Sequence, residues 1–304
     1  MKKRVLSLML CGLMMVSLLA GCGAKEEPAA DAEAGADAEA GADAEAGADA
    51  EAGADAEAGV DAEAESDMEY VKSKGTLVVG ITDFAPMDYK DESGEWIGFD
   101  ADMAKAFGES LGVSVEFVEI DWDNKVLELD SKTIDCVWNG MTLTDEVKSA
   151  MECSNAYCNN AQIVIVPADK ADQYQDTDSL KDLNFAVEAG SAGEAEVNAL
   201  GLNNTPVKSQ SDALLEVASG TSDAAVIDSL MAAAMVGEGT GYADLTYTVQ
   251  LNSEEYGVGF RKGSDLAAAL NDFFLAGYAD GSVAECAGTY NIQAALIDVD
   301  LTEE

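Results

Sequence analysis

The chain has 304 residues, with 16 Lys and Arg against 59 Asp and Glu, a formal net charge of −43 at pH 7, and no histidine. This negative field argues against nucleic acid and anionic lipid surfaces as partners, because both repel it. Without histidine, a Ser/His or Cys/His catalytic pair is excluded and the commonest metal ligand is absent, so we predict no metal and no cofactor. The six cysteines form no CxxC pair, which leaves a zinc or redox motif without support.

Residues 1–21 have the pattern of a secretory signal. Three basic residues, 2–4, precede an apolar run over residues 5–20, which is shorter than the about 20 residues that span a membrane. One interpretation is an ordinary cleaved leader. The other is lipid attachment, because Leu-Ala-Gly-Cys at residues 19–22 resembles the lipobox of bacterial lipoproteins. We favour the second, which implies that Cys22 becomes an acylated first residue that anchors the chain to the membrane outside the cytoplasm.

Residues 22–69 are predicted to be a disordered tether. DAEAGA hexads repeat from Asp31 and decay from Asp61. Each glycine costs a helix about 1 kcal/mol, and closely spaced like charges oppose helix as well. No apolar stripe could dock such a helix against a core. The repeat therefore predicts a self-repelling coil between the lipid anchor and a folded body.

From Tyr70 onward, short apolar runs alternate with helical patterns. The first cycle predicts strands over residues 76–81, 113–120, 133–140 and 161–167, and helices over 100–112, over 123–130 and from about 144. Asp100 and Gly112 are expected to cap the first of these helices. The second cycle predicts strands over residues 184–190, 205–209 and 222–228, and helices from about 192, over 212–219 and over 229–236.

The last part of the chain predicts extended segments over residues 247–251 and 256–260, followed by helices over 265–279 and 283–290. Strand–helix alternation throughout predicts an α/β fold with largely parallel sheets. Two cycles of strands and a returning C-terminal segment predict two lobes.

The body contains, in order, the stretches GTLVVGITDFAPMDYK with its continuation to EIDWDNK, IDCVWNGMTLTDEVK, FAVEAGSAGEAE, SDAAVIDS and YGVGFRKGSDL. Together these stretches resemble the family 3 solute-binding proteins of ABC transporters, which bind polar amino acids. The resemblance implies a type II periplasmic-binding-protein-like fold, with two α/β lobes joined by crossovers near residues 163–166 and 253–257. Lobe one is then expected to comprise residues 70–165 and 256–304, and lobe two residues 166–255, with the ligand between them.

The resemblance also implies which residues line the ligand cleft. Phe84 and Trp122 lie in polar loops and would sandwich the ligand, although large aromatic side chains usually fill a core. The residues expected to contact a ligand carboxylate are Asn139, Gly140, Thr142, Gly190, Ser191 and Ala192. Asp228 would receive the α-amino group, and Glu188 adds another carboxylate nearby. Thr142, Ser191 and Asp228 could instead, or in addition, cap helices.

One position departs from the family pattern. Amino acid binders of this family carry an arginine after the MTLT motif, where a bidentate pair holds the α-carboxylate, whereas this chain has Val147. Lys148 follows, but it is turned by about 100° on a helix and lacks the planar fork. Either other donors suffice or the ligand is not a standard α-amino acid. With Glu188, Asp228 and Asp83 near the expected cleft, we hypothesise an amine-bearing or cationic ligand.

The cysteines of the body have two interpretations. Cys136, Cys153 and Cys286 are best interpreted as small buried hydrophobes. A bridge between Cys153 and Cys158 stays open, because secreted chains allow disulfides.

Three functions follow from these features. The favoured one is a monomeric, lipid-anchored protein, not an enzyme, that delivers a small polar amino acid-like solute to an ABC permease. The second is a dehydratase-like enzyme on the same fold, with Glu188 or Asp228 as an acid or base of shifted pKa, although no partner motif is visible. The third is a ligand-sensing module, which would usually be fused to a membrane or signalling domain.

Overall fold

The computed structural model describes residues 66–298. The predicted signal, Cys22 and nearly all of the predicted tether lie outside these residues. Helix α1 (Asp67–Lys74) begins within the range expected for the tether, which corrects the boundary at residue 69. Arg261 Nε lies 3.0 Å from both carboxylate oxygens of Asp67, and Val71 is fully buried, so α1 is part of the folded body.

The described residues form thirteen β-strands. Their bounds are β1 (Thr76–Ile81), β2 (Tyr89–Lys90), β3 (Trp96–Ile97), β4 (Ser114–Glu119), β5 (Cys136–Thr142), β6 (Glu152–Cys153), β7 (Cys158–Asn160), β8 (Gln162–Pro167), β9 (Asn184–Glu188), β10 (Asn203–Val207), β11 (Ala224–Asp228), β12 (Leu245–Gln250) and β13 (Glu254–Phe260).

The helices after α1 are α2 (Phe99–Leu111), α3 (Lys125–Asp130), α4 (Asp145–Ala150), α5 (Ala192–Ala199), α6 (Gln210–Ser219), α7 (Ser229–Met235), α8 (Leu266–Asp280) and α9 (Ser282–Thr289). Short 3₁₀ turns cover Trp122–Asn124, Ala168–Gln173, Thr177–Leu180 and Gln293–Ala295. No helix between residues 66 and 298 is long and apolar enough to cross a membrane.

Two mixed sheets carry the fold. The first has the order β4-β1-β5-β13-β6, with β7 also paired to β13, and the second has the order β10-β9-β11-β8-β12. In each sheet three neighbouring strands are parallel, while β13 in the first and β8 and β12 in the second run antiparallel to their partners. The sheets are therefore less parallel than expected, because the strand that follows each connection, β8 or β13, runs opposite to the parallel strands of its sheet.

The chain passes between the sheets twice. It leaves the first sheet at Asn160 and enters the second at Gln162, and it returns between Gln250 and Glu254. The expected first crossover, residues 163–166, lies inside β8, so the change of lobe comes earlier than the predicted boundary after 165. Leu251 N donates to Gln162 O (2.8 Å) and Gln162 N donates to Asn252 Oδ1 (2.7 Å), so the two connections are hydrogen-bonded to each other.

Each sheet packs its helices around an apolar core. In the first lobe, Trp138 contacts the rings of Phe107 and Phe274, and Phe274 stacks on Tyr157 at 5.4 Å. In the second lobe, buried side chains such as Phe185 pack together on the sheet. Helices α8 and α9 contact α2, which returns the C-terminal part of the chain to the first lobe as expected.

Two local predictions need correction. The N-cap of α2 is Gly98 rather than Asp100, which is fully buried and accepts hydrogen bonds from Tyr157 and Gly140, while Gly112 caps the C-terminus as predicted. Cys153 and Cys286 are only half-buried, because both lie at the edge of the first lobe's core.

The first lobe also contains the other two described cysteines. Cys136 and Cys158 are fully buried, and all four cysteines within residues 66–298 are free. Cys153 and Cys158 lie on β6 and β7, and the open possibility of a bridge between them is not realised.

Candidate functional site

A cavity of about 560 Å³ is lined by residues of both lobes. It lies where the carboxyl ends of parallel strands meet, since β5, β9 and β11 end at Thr142, Glu188 and Asp228. All ten residues predicted for the cleft line it: Phe84, Trp122, Asn139, Gly140, Thr142, Glu188, Gly190, Ser191, Ala192 and Asp228. Cys22, the predicted lipid attachment site, lies outside the described residues.

The two aromatic side chains predicted for the cleft are both buried in the core and part of the cavity wall. Phe84 and Trp122 are 2% and 7% exposed, yet both line the cavity. Phe84 packs edge-on against Tyr256 at 6.3 Å. Gly140 makes room for that ring, because it has φ +55° and a Cβ there would lie 2.3 Å from Phe84 Cε1. The position of Phe84 in the cavity wall is therefore fixed by its packing against the core residues behind it.

Three of the residues predicted to contact a ligand carboxylate, Asn139, Gly140 and Thr142, already donate to acceptors within the chain. Gly140 N donates to Asp100 Oδ2 (2.6 Å), and Thr142 Oγ1 donates to Glu254 Oε1 (2.9 Å). Asn139 Nδ2 donates to Asp88 Oδ2 (2.7 Å) and to a backbone carbonyl. These groups line the cavity, but their hydrogens point at neighbouring side chains and backbone.

The helix starts around the cavity show which capping alternatives hold. Ser191 Oγ accepts from Glu194 N (3.1 Å) and is the N-cap of α5, while the Glu194 carboxylate accepts from Gly190 N (2.7 Å). Thr144, rather than Thr142, caps α4. Asp228 precedes α7, but its side chain accepts no hydrogen bond from that helix.

Asp228 instead belongs to an amide network at the crossovers. Its carboxylate accepts hydrogen bonds from the side-chain amides of Asn160 (2.6 Å), Gln162 and Gln210. Asn160 and Gln162 also donate to Glu254 Oε1, at 2.7 and 2.8 Å. Two carboxylates thus share two amide donors where the lobes join.

Burial shifts the titration of the acids at this end of the cavity. It raises the pKa of Asp228 to about 8, and repulsion from Glu254 adds to the rise while the amide hydrogen bonds from Gln210 and Asn160 oppose it. Burial likewise raises the pKa of Glu188 to about 8, with repulsion from Asp228 adding and Lys125 opposing. The fold therefore favours the neutral forms of both carboxyls.

Lys125 is a residue of the cavity that the sequence reasoning missed. Its Nζ donates to Trp122 O (3.1 Å) in the first lobe and to Gly190 O (3.0 Å) in the second, and lies 4.9 Å from the centre of the Trp122 ring. Burial lowers the pKa of Lys125, although Glu188, Glu146 and Asp123 oppose this. Its place in DWDNK, three residues after a predicted site aromatic, was the available signal.

Gln162 and Gln210 were also missed, because an uncharged amide in a strand or at a helix start carries no distinctive pattern. Val147 lines the cavity, whereas Lys148 is exposed and is not part of the wall. The position after MTLT is thus an apolar part of the cavity surface, and the adjacent Lys148 does not replace the expected arginine.

Two mixed sheets, joined by paired crossovers and enclosing a polar cavity at their strand ends, define a two-lobed binding protein. The family model for bacterial extracellular solute-binding proteins, family 3, matches residues 77–293. The chain belongs to this family and is a solute-binding protein, which confirms the predicted two-lobed α/β fold and the solute-binding role.

Similar proteins agree with this assignment. A Neisseria gonorrhoeae protein described as a probable histidine-binding protein is 30% identical over 64% of this chain and 75% of its own length. The crystal structure of a variant of ArgBP from T. maritima superposes with a TM-score of 0.70, at 31% identity, over 74% of this chain and 99% of that one. The ancestral amino acid-binding protein AncCDT-1, a precursor of cyclohexadienyl dehydratase, gives a TM-score of 0.68 at 31% identity over the same shares.

Proposed function

We propose that this chain is the lipid-anchored, extracytoplasmic solute-binding component of an ABC importer. It captures a small polar, amino acid-like solute between its lobes and delivers it to a permease. The observation that carries the proposal is the cavity of about 560 Å³ lined by aromatic, amide and charged side chains from both lobes. A cavity of this size suits a small solute.

A few contacts across the cavity mouth support a closing motion. Lys125 bonds to Gly190 O, and Ser211 Oγ donates to Asp83 O (3.2 Å). At Gly190, φ is +71° and a Cβ would lie 2.7 Å from Asp123 Cα, so the lobes meet closely there. A solute that contacts both lobes would favour the closed form, which the permease would distinguish from the open one.

We assign residues 1–21 to a lipoprotein signal and the stretch from Cys22 to residue 65 to a tether. Lobe one then comprises residues 66–160 and 254–298, and lobe two residues 162–250. The expected outcome of a Cys22→Ala substitution is loss of the protein from the membrane fraction, measured by fractionation and by mass spectrometry of the mature N-terminus. Cys136→Ala is the matched control. An unlipidated wild-type N-terminus would contradict the anchor.

We propose that the solute leaves chemically unchanged. Most similar proteins are named as binding proteins, although AncCDT-1 is a precursor of an enzyme. Native mass spectrometry of protein purified without refolding tests the function, with a retained small molecule expected at a stoichiometry of one. Prolonged incubation with the released molecule should leave its mass unchanged, and steady conversion would favour an enzyme instead.

A further inference from the structure

The cavity wall is strongly acidic. Among the described residues, the only cation that lines it is Lys125. The acidic residues that line it are Asp123, Asp145, Glu146, Glu188, Glu194 and Asp228. Burial favours the neutral forms of Glu188 and Asp228 in the empty cavity, so the charge that a solute carboxylate would meet comes from the other four acids. Burying a carboxylate against this charge is unfavourable unless a cation pairs with it.

Several donors of the wall are already taken, and the start of α5 at Ser191 and Ala192 is the exception. Gly140 N, Thr142 Oγ1 and Asn139 Nδ2 each donate to an acceptor of the chain itself. Gly190 N is held by the Glu194 carboxylate. One side of the cavity is apolar instead and consists of Trp122, Val126, Met141, Val147 and Ala150. Hydrocarbon suits this side better than a carboxylate does.

Glu188 supplies the complementary feature. Its residue is 3% exposed, it lines the cavity, and its Oε1 is buried without a hydrogen-bond partner. Buried carboxylate oxygens are rarely left unpaired. Asp228 faces Glu188 from the neighbouring strand and Lys125 faces it from the other lobe. Gln210 and Thr82 approach its carboxylate as hydrogen-bond donors, and Oε1 is the oxygen left without a partner. An ammonium group of the solute would give Oε1 the donor that it lacks.

Lys125 is the one group that opposes a cationic solute. Two of its three hydrogens are used, since its Nζ donates to Trp122 O and Gly190 O across the cavity. Glu188, Glu146 and Asp123 surround it. Its charge is thus met by groups of the chain, and its position ties the lobes together.

We infer that the solute is an organic cation without a carboxylate, namely an amine whose ammonium group pairs with Glu188 and whose hydrocarbon lies along the wall around Val147. This inference rests on the proposed function and narrows its solute from amino acid-like compounds to amines.

Matched pairs of compounds that differ only in the carboxylate test it. Titration calorimetry on the full-length protein would compare arginine with agmatine, lysine with cadaverine, and histidine with histamine. In at least one pair, we expect the decarboxylated member to bind about tenfold tighter or more, a difference of about 1.4 kcal/mol. Equal or tighter binding of the amino acid in every pair overturns the inference and leaves the proposed function standing. Failure of every amine to bind at millimolar concentration also overturns it, and the proposed function is then judged on the molecule retained in native mass spectrometry.

Substitutions of two cavity acids distinguish an ion pair between the solute and Glu188 from general electrostatic attraction by the acidic wall. Glu188→Gln keeps the shape but cannot ionise to pair with an ammonium group, so affinity for the best amine should fall about tenfold or more. Glu146→Gln removes an exposed acid of the same cavity and should change affinity less than about threefold. Similar losses for the two variants would overturn the role of Glu188. Because Glu188 Oε1 has no partner to lose, thermal unfolding should show that Glu188→Gln remains folded.

A third substitution tests the missing donor. Val147→Arg would place a guanidinium group in the apolar side of the cavity, where it can hold a carboxylate bidentately. In each compound pair, the preference should then shift toward the amino acid by about tenfold or more. Lys125→Met should leave the preference of the wild type for amines in place. The wild type could instead bind one of the amino acids more tightly than the matching amine. If Lys125→Met abolishes the binding of that amino acid, Lys125 is the carboxylate donor and the inference is wrong.

Discussion

Gly140 shows how one backbone position fixes a wall of the cavity. Its φ of +55° is strained for other residues, and a Cβ would collide with the Phe84 ring. Gly140→Ala should therefore destabilise the protein by about 2–4 kcal/mol, combining backbone strain with displacement of the ring. Urea unfolding measures this cost.

Gly112→Ala is the matched control, because Gly112 also has a positive φ (+76°) but nothing lies within 4 Å of its Cβ position. It should cost only the backbone part, about 1 kcal/mol. Equal costs for the two variants would show that the Phe84 ring adjusts freely.

At the scale of elements, α1 depends on a buried ion pair. Arg261 pairs with Asp67 of α1 and with Asp135, which precedes β5, and it donates to Ile134 O (2.8 Å). Arg261→Met would leave the buried Asp67 without its ion-pair partner, whereas Asp135 keeps Lys74 and the Val78 N–H, so we expect a loss of about 3–5 kcal/mol of unfolding free energy. Thermal or urea unfolding gives the value.

The exposed pair between Lys181 and Asp178 provides the comparison. Lys181→Met should leave the free energy of unfolding almost unchanged, because water screens a fully exposed pair. A loss at Arg261 no greater than that at Lys181 would mean that α1 is not held by this pair.

The elements themselves were largely predictable, because long apolar runs and helical periodicity dominate from residue 76 onward. Helix α1 was missed, since its eight residues are mostly charged or polar. The reversal of β8 and β13 was missed too, because strand direction is set by where the chain crosses between sheets.

The candidate site was likewise predictable only in part. Its lining residues were predictable because they follow strand ends. The groups that occupy their donors were not, since Asp100 lies 40 positions from Gly140 and Glu254 lies 112 from Thr142. Only the fold brings these partners together.

At the scale of the whole molecule, buried acids set the response to pH. Burial raises the pKa of Asp100 to about 7, of Glu188 and Asp228 to about 8, and of Asp88 well above its usual range. Asp100 and Asp102 repel Asp88 while Lys105 attracts it, and Glu254 and Lys125 act on the cavity acids. The folded chain thus binds more protons than the unfolded chain between the two sets of pKa values.

Stability should consequently be highest near the unfolded pKa, about 4, and should fall as the pH rises toward about 8, by up to about 1.4 kcal/mol per unit for each proton. Melting temperatures measured from about pH 5 to about pH 9 would show this decline. Glu188→Gln should flatten the curve, whereas Glu146→Gln should not. A melting temperature that rises over this range would contradict the expected protonation of the buried acids.

The hydrogen bonds between the two crossovers have a mechanical consequence. Because Leu251 and Asn252 are hydrogen-bonded to Gln162, the two connections bend together as one hinge rather than independently. Such a hinge resists sliding of one lobe past the other but allows rotation of the lobes about a single axis. The separation of the lobe tips then varies along one coordinate, so a pair of fluorophores, one on each lobe, would report a filled or empty cavity as a single distance.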